Sequence, residues 1–290
     1  MKALYALVAL ALLCAGALWR VTAPGALDAG IAGEMDKPGD AKTGEIVFWA
    51  GGCAACHAKP DTPTQLGGGA PLKTPFGLIH APNISPDPED GIGKWSAQDF
   101  AHAVYDGVDD EGTHLYPAFP YTSYRHMSVA DVRDLWAFLR TLPPVKGEAP
   151  PPGFGFPFNI RRLVALWKWL YLPDAAPSQT TTGDVDNGRY LVLGPGHCGE
   201  CHTPRDALGG LVAAKFLTGA AMPDGKGKSP DITPAGLAKW SQDDIETALS
   251  LGIKPDGDSL GGAMAEVVRN LGRLPKPDIA AMARYLKTGG

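Results

Sequence analysis

The pattern of apolar and polar positions changes character along the chain. Ala3 to Trp19 is an uninterrupted apolar run, preceded by Lys2 and closed by Arg20. A short positive segment followed by a hydrophobic one is the form of an export signal, and seventeen residues also reach the lower end of what spans a bilayer. No small-x-small cleavage site follows Arg20, so residues 1–20 are read as an uncleaved N-terminal anchor. Residues 21–41 are rich in Gly, Ala, Pro and Asp, show no helical period and read as a tether.

From residue 42 onward the periodic segments come in matching order twice. Thr43 to Ala50 and Asp186 to Val192 each cluster apolar residues as on a short helix. Asn83-Ile84-Ser85-Pro86 is echoed by Asp231-Ile232-Thr233-Pro234, and Lys94-Trp95-Ser96 by Lys239-Trp240-Ser241. Ser96 with Asp99, and Ser241 with Asp244, have the spacing of a helix N-cap followed by an acidic third position. Each half closes on a further helix: Ser128 caps Val132 to Leu142, and Pro277-Asp278 opens Ile279 to Lys287. The pattern predicts a duplicated all-α unit, with domains at 42–142 and 183–290. Pro143-Pro144 and Pro150-Pro151-Pro152 mark residues 143–182 as a stiff linker. Inside it, Asn159 to Leu172 is unusually apolar and aromatic, carries three basic residues and is too short to span a bilayer. It reads as a helix packed across the halves, or as a surface helix for a membrane or partner subunit.

Composition narrows the chemistry. The 290 residues suit about two domains, and a net charge of -5 argues against nucleic acid, which asks for a basic face. Four of the five cysteines stand in Cys53-Ala54-Ala55-Cys56-His57 and Cys198-Gly199-Glu200-Cys201-His202. On a helix, positions i, i+3 and i+4 share a face, so two thiols can reach the edge of a flat macrocycle while the imidazole reaches its centre. The expected cofactors are two haem c groups: Cys53, Cys56, Cys198 and Cys201 as thioethers, and His57 and His202 as proximal iron ligands. A thioredoxin-like redox pair, a zinc site or a disulfide would each leave the adjacent histidine and its repetition unexplained.

The second axial position decides between electron transfer and chemistry, and a thioether there closes the iron to substrate. Met127 is the one methionine between the two motifs, 70 residues after His57, and Met264 lies 62 residues after His202, before the closing helix. These two are the predicted distal ligands. His126 is the main rival, His102 and His114 are weaker ones, and His80 and His197 carry no assigned role. No general base or nucleophile is required, so no catalytic residue is assigned. Asp109, Asp110 and Glu111 read as a solvated charge run.

These residues resemble the cytochrome c subunits of membrane-associated bacterial dehydrogenases, the group that includes the alcohol and gluconate dehydrogenase cytochromes. The resemblance runs from about residue 42 to the C-terminus, through both motifs, Asn83 to Asp87, Gly91 to Ser96, Tyr116 to Tyr121 and Met264 to Val268. It departs in having two haem motifs where the group usually has three, and Phe119 where a methionine is common. The resemblance implies two tandem cytochrome c domains, each wrapped around one haem, on the periplasmic side of the cytoplasmic membrane. Such a protein passes electrons from a dehydrogenase, which for the shorter two-haem variants is often a molybdenum-containing one, to an oxidase or another cytochrome of the respiratory chain. The alternative is a dihaem enzyme, a peroxidase or a thiosulfate dehydrogenase, which needs an exchangeable iron site or an unusual ligand such as cysteine.

Overall fold

A computed structural model describes residues 1–59, 61–69, 71–174, 184–222 and 227–289. The apolar run folds as α1 (Lys2–Val21), with no buried residue, and is long and apolar enough to cross a membrane. Anchors and export signals share that property.

The sequence echo reappears as matching elements. In the first half, α3 (Ala41–Ala50) leads into the motif helix α4 (Cys53–His57), α5 (Ala97–Asp106) and a one-turn helix α6 (Tyr121–Tyr124) come next, and α7 (Val129–Leu139) closes the unit. In the second, α9 (Asp184–Leu193) leads into α10 (Gly199–His202), with α11 (Gln242–Leu251), α12 (Ala263–Leu271) and α13 (Lys276–Thr288) after it. Both predicted capping boxes form: Ser96 Oγ accepts from Asp99 N, Ser241 Oγ accepts from Asp244 N, and each aspartate returns the bond to the serine backbone.

In each half the first helix crosses the last at a glycine. A Cβ on Gly44 would lie 1.9 Å from the Asp134 carbonyl of α7, and one on Gly188 would lie 2.0 Å from the Ala281 carbonyl of α13. Only glycine permits that approach, and it brings the backbones into direct contact. Phe48, Val132 and Leu139 fill the first crossing, and Val192, Met282, Ala283 and Leu286 belong to the second.

Three expectations need correction. The chain is helix-rich rather than purely helical: β1 (Pro71–Thr74), β2 (Gly77–His80) and β3 (Gly153–Phe154) make one antiparallel sheet, and β4 (Ala220–Ala221) pairs with β5 (Lys228–Ser229). The β1–β2 turn ends at Gly77, whose φ of +141° and closeness to the Gly153 carbonyl both demand glycine. Residues 21–41 are not all tether, because α2 (Ala29–Met35) forms there. Asp28 caps it through Gly30 N and Ile31 N, and Met35 is buried. The start of the linker belongs to the first half, where Asn83 Nδ2 donates to the carbonyls of Val145 and Gly147 and the backbone N–H of Val145 donates to Ser85 Oγ. The apolar linker stretch folds as a 3₁₀ turn (Arg161–Leu163) running into α8 (Val164–Tyr171). The rest of the predicted linker, 175–182, lies outside the described residues.

Candidate haem sites

Each motif is presented as the chemistry requires. Gly52, at φ +59°, turns the chain out of α3 so that α4 starts at Cys53, and Cys53, Cys56 and His57 share one face of that turn. In the second motif Cys198 caps α10, and the backbone N–H of His202 donates to the Cys198 carbonyl at 3.0 Å.

The segment after each motif is duplicated as well. The Gly68 N–H donates to the His57 carbonyl and the Gly219 N–H to the His202 carbonyl, at 3.2 and 2.8 Å. The imidazoles are held by the same device: His57 Nδ1 sits 2.7 Å from the Pro82 carbonyl and His202 Nδ1 sits 2.8 Å from the Pro230 carbonyl. A carbonyl accepts only, so Nδ1 carries the proton and Nε2 keeps the lone pair that would face iron. Burial pushes both histidines down from their ordinary pKa, which keeps that lone pair free. Sequence reasoning gives no role to Pro82 or Pro230, although each immediately precedes the duplicated Asn/Asp-Ile loop.

The thiols fit thioether formation better than the rival chemistries. All four are free. Burial pushes Cys53 and Cys198 up to about 12, whereas a thioredoxin-like nucleophile requires a lowered thiol pKa. Among the described residues no three His, Cys, Asp or Glu side chains gather as a metal-binding group, so the four-ligand arrangement of a structural zinc site is not assembled. The donor set fits haem: in each motif two thiols and one Nε2 would hold it.

The distal candidates are placed differently. Met127 is buried in the core of the first half, and its carbonyl accepts from Tyr105 Oη at 3.2 Å. Met264 stands half-buried in the first turn of α12, and Met282 is buried on the inner face of α13. His114 leaves the set of rivals, since Nε2 donates to the Thr22 carbonyl and Nδ1 accepts from Lys168 Nζ, both at 2.9 Å. With His102 it lines a separate cavity of about 210 Å³ at the foot of α1. His126 is half-buried, with its backbone against Gly194 of the second half. Phe119 packs edge-on to Tyr124, 5.5 Å between ring centres. Asp109 is not solvated: it accepts from Thr113 N at 2.7 Å, and burial raises its pKa.

The two motifs face one another. The Gly51 carbonyl, two residues before Cys53, accepts from Tyr124 Oη at 2.9 Å and from His197 Nε2 at 3.2 Å. His197 immediately precedes Cys198 and packs edge-on to Tyr124. Glu200, inside the second motif, accepts from Thr122 and Ser123 of the first half and pairs with Arg205. Across the interface Tyr190 Oη donates to Asp131 and accepts from Ser128 N, and Arg273 stacks over Trp49 at 4.1 Å. Thus α6 and the start of α7 meet α10 and α9 through these hydrogen bonds, while α12 lies on α3 and α4. His197 is given no role by the sequence, because its task exists only where the halves meet.

A cytochrome c family model matches residues 41–143. The chain is 50% identical over 257 residues to a protein of Cereibacter sphaeroides named diheme cytochrome c-type, covering 86% of each. It is 39% identical to a nicotinate dehydrogenase subunit of Pseudomonas putida, over 84% of this chain and 21% of that one. With the gluconate 2-dehydrogenase cytochrome c subunit of Pantoea cypripedii it shares 38% identity, over 88% of this chain and 61% of that one. The chain belongs to the cytochrome c family, as an electron-transfer protein rather than a catalytic enzyme.

Proposed function

We propose that this chain carries two haem c groups and relays single electrons between them, from a dehydrogenase toward the respiratory chain. The observation that carries the proposal is the shared Gly51 carbonyl, which Tyr124 of one half and His197 of the other both reach. That contact puts the two haem-attachment segments against each other, as relay between two buried redox centres requires.

When bound, haem supplies a reversible one-electron change at iron. The chain's own part is to hold, orient and insulate. Cys53, Cys56, Cys198 and Cys201 fix the rings; Pro82 and Pro230 fix the tautomer of His57 and His202. Met127 and Met264 are the proposed distal ligands, on the grounds that Met127 lies in the core just before α7 and Met264 packs against the core in the first turn of α12. Two methionine thioethers would keep both irons closed to peroxide or another substrate and raise their potentials over bis-histidine ligation.

The donor is proposed to be a dehydrogenase, since relatives carry the names of nicotinate and gluconate dehydrogenase components. A molybdenum-containing enzyme suits the heterocycle named in the first. With α1 as anchor, the haem units would sit on the periplasmic face of the membrane.

Purified full-length protein tests this. The expected result is a mass two haems above the polypeptide, and a red-edge ferric absorption band of methionine-ligated haem accounting for both. Electrons injected at sub-stoichiometric dose should redistribute between the haems without a partner. One haem per chain, or rapid peroxide turnover by the isolated protein, would refute the relay.

A further inference from the structure

We propose that the segment from Phe156 to Leu170 is a second membrane contact, seating the haem-bearing body on the lipid headgroups beside the exit of α1. This rests on the reading of α1 as a spanning anchor. The exposed side of the segment concentrates large apolar residues: Phe156 is 81% exposed, Trp169 63% and Leu170 66%, with Phe158 and Ile160 also exposed. Several such residues together on a water-facing surface mark an interaction site.

The segment's position names the occupant. Arg162 donates to the Trp19 carbonyl at 3.0 Å and its guanidinium lies 4.2 Å over the Trp19 ring. Trp169 shares a cavity wall with Val21. Thr22 is buried, with its carbonyl bound to His114. The C-terminal end of α1 is therefore fastened to the 3₁₀ turn and to α8, at the depth where a spanning helix leaves hydrocarbon. Tryptophan rings favour that depth, and arginine reaches from it to headgroup phosphates along an apolar stem.

The opposite side of the segment is fixed to the body, so the surface is rigid. Lys168 Nζ is buried and donates to the carbonyls of Asp106 and Gly107, at 2.5 and 2.8 Å, and Trp167 Nε1 donates to the Leu208 carbonyl at 3.0 Å. The contact would thus fix the tilt of both haem units above the bilayer, whereas a lone helix followed by a tether would leave them free to swing.

The test uses full-length holoprotein in nanodiscs of phosphatidylcholine and phosphatidylglycerol containing a lipid with a headgroup-proximal diazirine. Illumination and peptide mapping should find lipid adducts on residues 156–170 at a yield comparable to residues 19–23, and several-fold above the 254–259 loop. The variant Trp169→Ser/Leu170→Ser, altered only at exposed positions, should lose most of the 156–170 adducts and keep its haem spectrum and its α1 adducts. Adducts on α1 alone overturn the proposal and leave the anchor standing; adducts on neither overturn both. Cross-links between copies at 156–170 formed by a bifunctional amine- or carboxyl-directed reagent in the same nanodiscs, with no lipid adducts there, assign the surface to a second copy and overturn the proposal.

Discussion

Replacing Gly44 by alanine gives the most direct test of the helix crossing that frames each haem site. An added Cβ would stand 1.9 Å from the Asp134 carbonyl oxygen and 2.9 Å from the Phe138 Cβ. Side-chain rotation cannot relieve a backbone oxygen, so α3 and α7 must part by roughly 1 Å or more to reach a tolerable contact. Overpacking of this kind costs up to about 3 kcal/mol. Separation also stretches the bond from Asp40 N to Asp134 Oδ1, now 2.9 Å, worth about 1 kcal/mol. Against these stands the preference of a helix for alanine over glycine, about 1 kcal/mol. The net expectation is a loss of about 3 kcal/mol. Gly188→Ala meets the same obstacle at 2.0 Å and should cost about 2 kcal/mol. Guanidinium unfolding of the holoprotein, followed by helical circular dichroism and by haem absorption, measures both. The sign decides the matter: if the helices did not touch there, alanine would stabilise by its propensity alone, and a gain of about 1 kcal/mol for either variant would refute the crossing.

Other outcomes are expected from the same structure. Met127→Ala and Met264→Ala should each remove half of the methionine-ligation band, whereas Met282→Ala, truncating a buried core side chain, should cost about 2–5 kcal/mol of stability and leave the band whole. His197→Phe removes the donor to Gly51 and should cost about 1 kcal/mol and slow electron redistribution between haems; unchanged rates in flash-reduction kinetics would refute a relay role. Burial brings Lys168 down to about 7 from 10.5, so the folded chain binds fewer protons than the unfolded one between those values, and stability should rise with pH from 7 towards 10. That rise should flatten in Lys168→Met, as read by denaturation midpoints across the pH range. Glu200→Gln removes a negative charge from the second motif and should raise the midpoint of at least one haem by tens of millivolts, about 1 kcal/mol, in a redox titration.

What could be read from the chain alone was what depends on nearby residues. The motif helices, the capping boxes at Ser96 and Ser241 and the Ser128 cap are set by side chains within four positions, and all form. The helix Ala29–Met35 escaped because its Gly and Ala positions carry no apolar period; the one local signal was Asp28 ahead of it. β3 is two residues long and exists only as the partner of Gly77 and Leu78, so no pattern within 143–182 could announce it. The burial of Asp109 depends likewise on a distant partner, Arg161, 3.7 Å away.

On the proposed two-haem reading, duplication by itself would make two equivalent haem pockets, and two equal potentials give an electron no preferred direction. The difference has to come from where the copies depart from each other, and one such departure lies at their shared face. At the third position of the motif the first copy has Ala55 and the second has Glu200. Glu200 is drawn into the interface by Thr122 and Ser123, with Arg205 as counter-ion. A carboxylate beside one ring favours its more positive, oxidised iron, and low local polarity strengthens the effect. The contact on that side is built from hydrogen bonds, including Tyr190 with Asp131 and Ser128, while the other side is built around Arg273 stacked on Trp49. On that reading, holding the halves together and making them unequal would be the work of the same residues. A change that loosens the interface should also draw the two potentials toward each other.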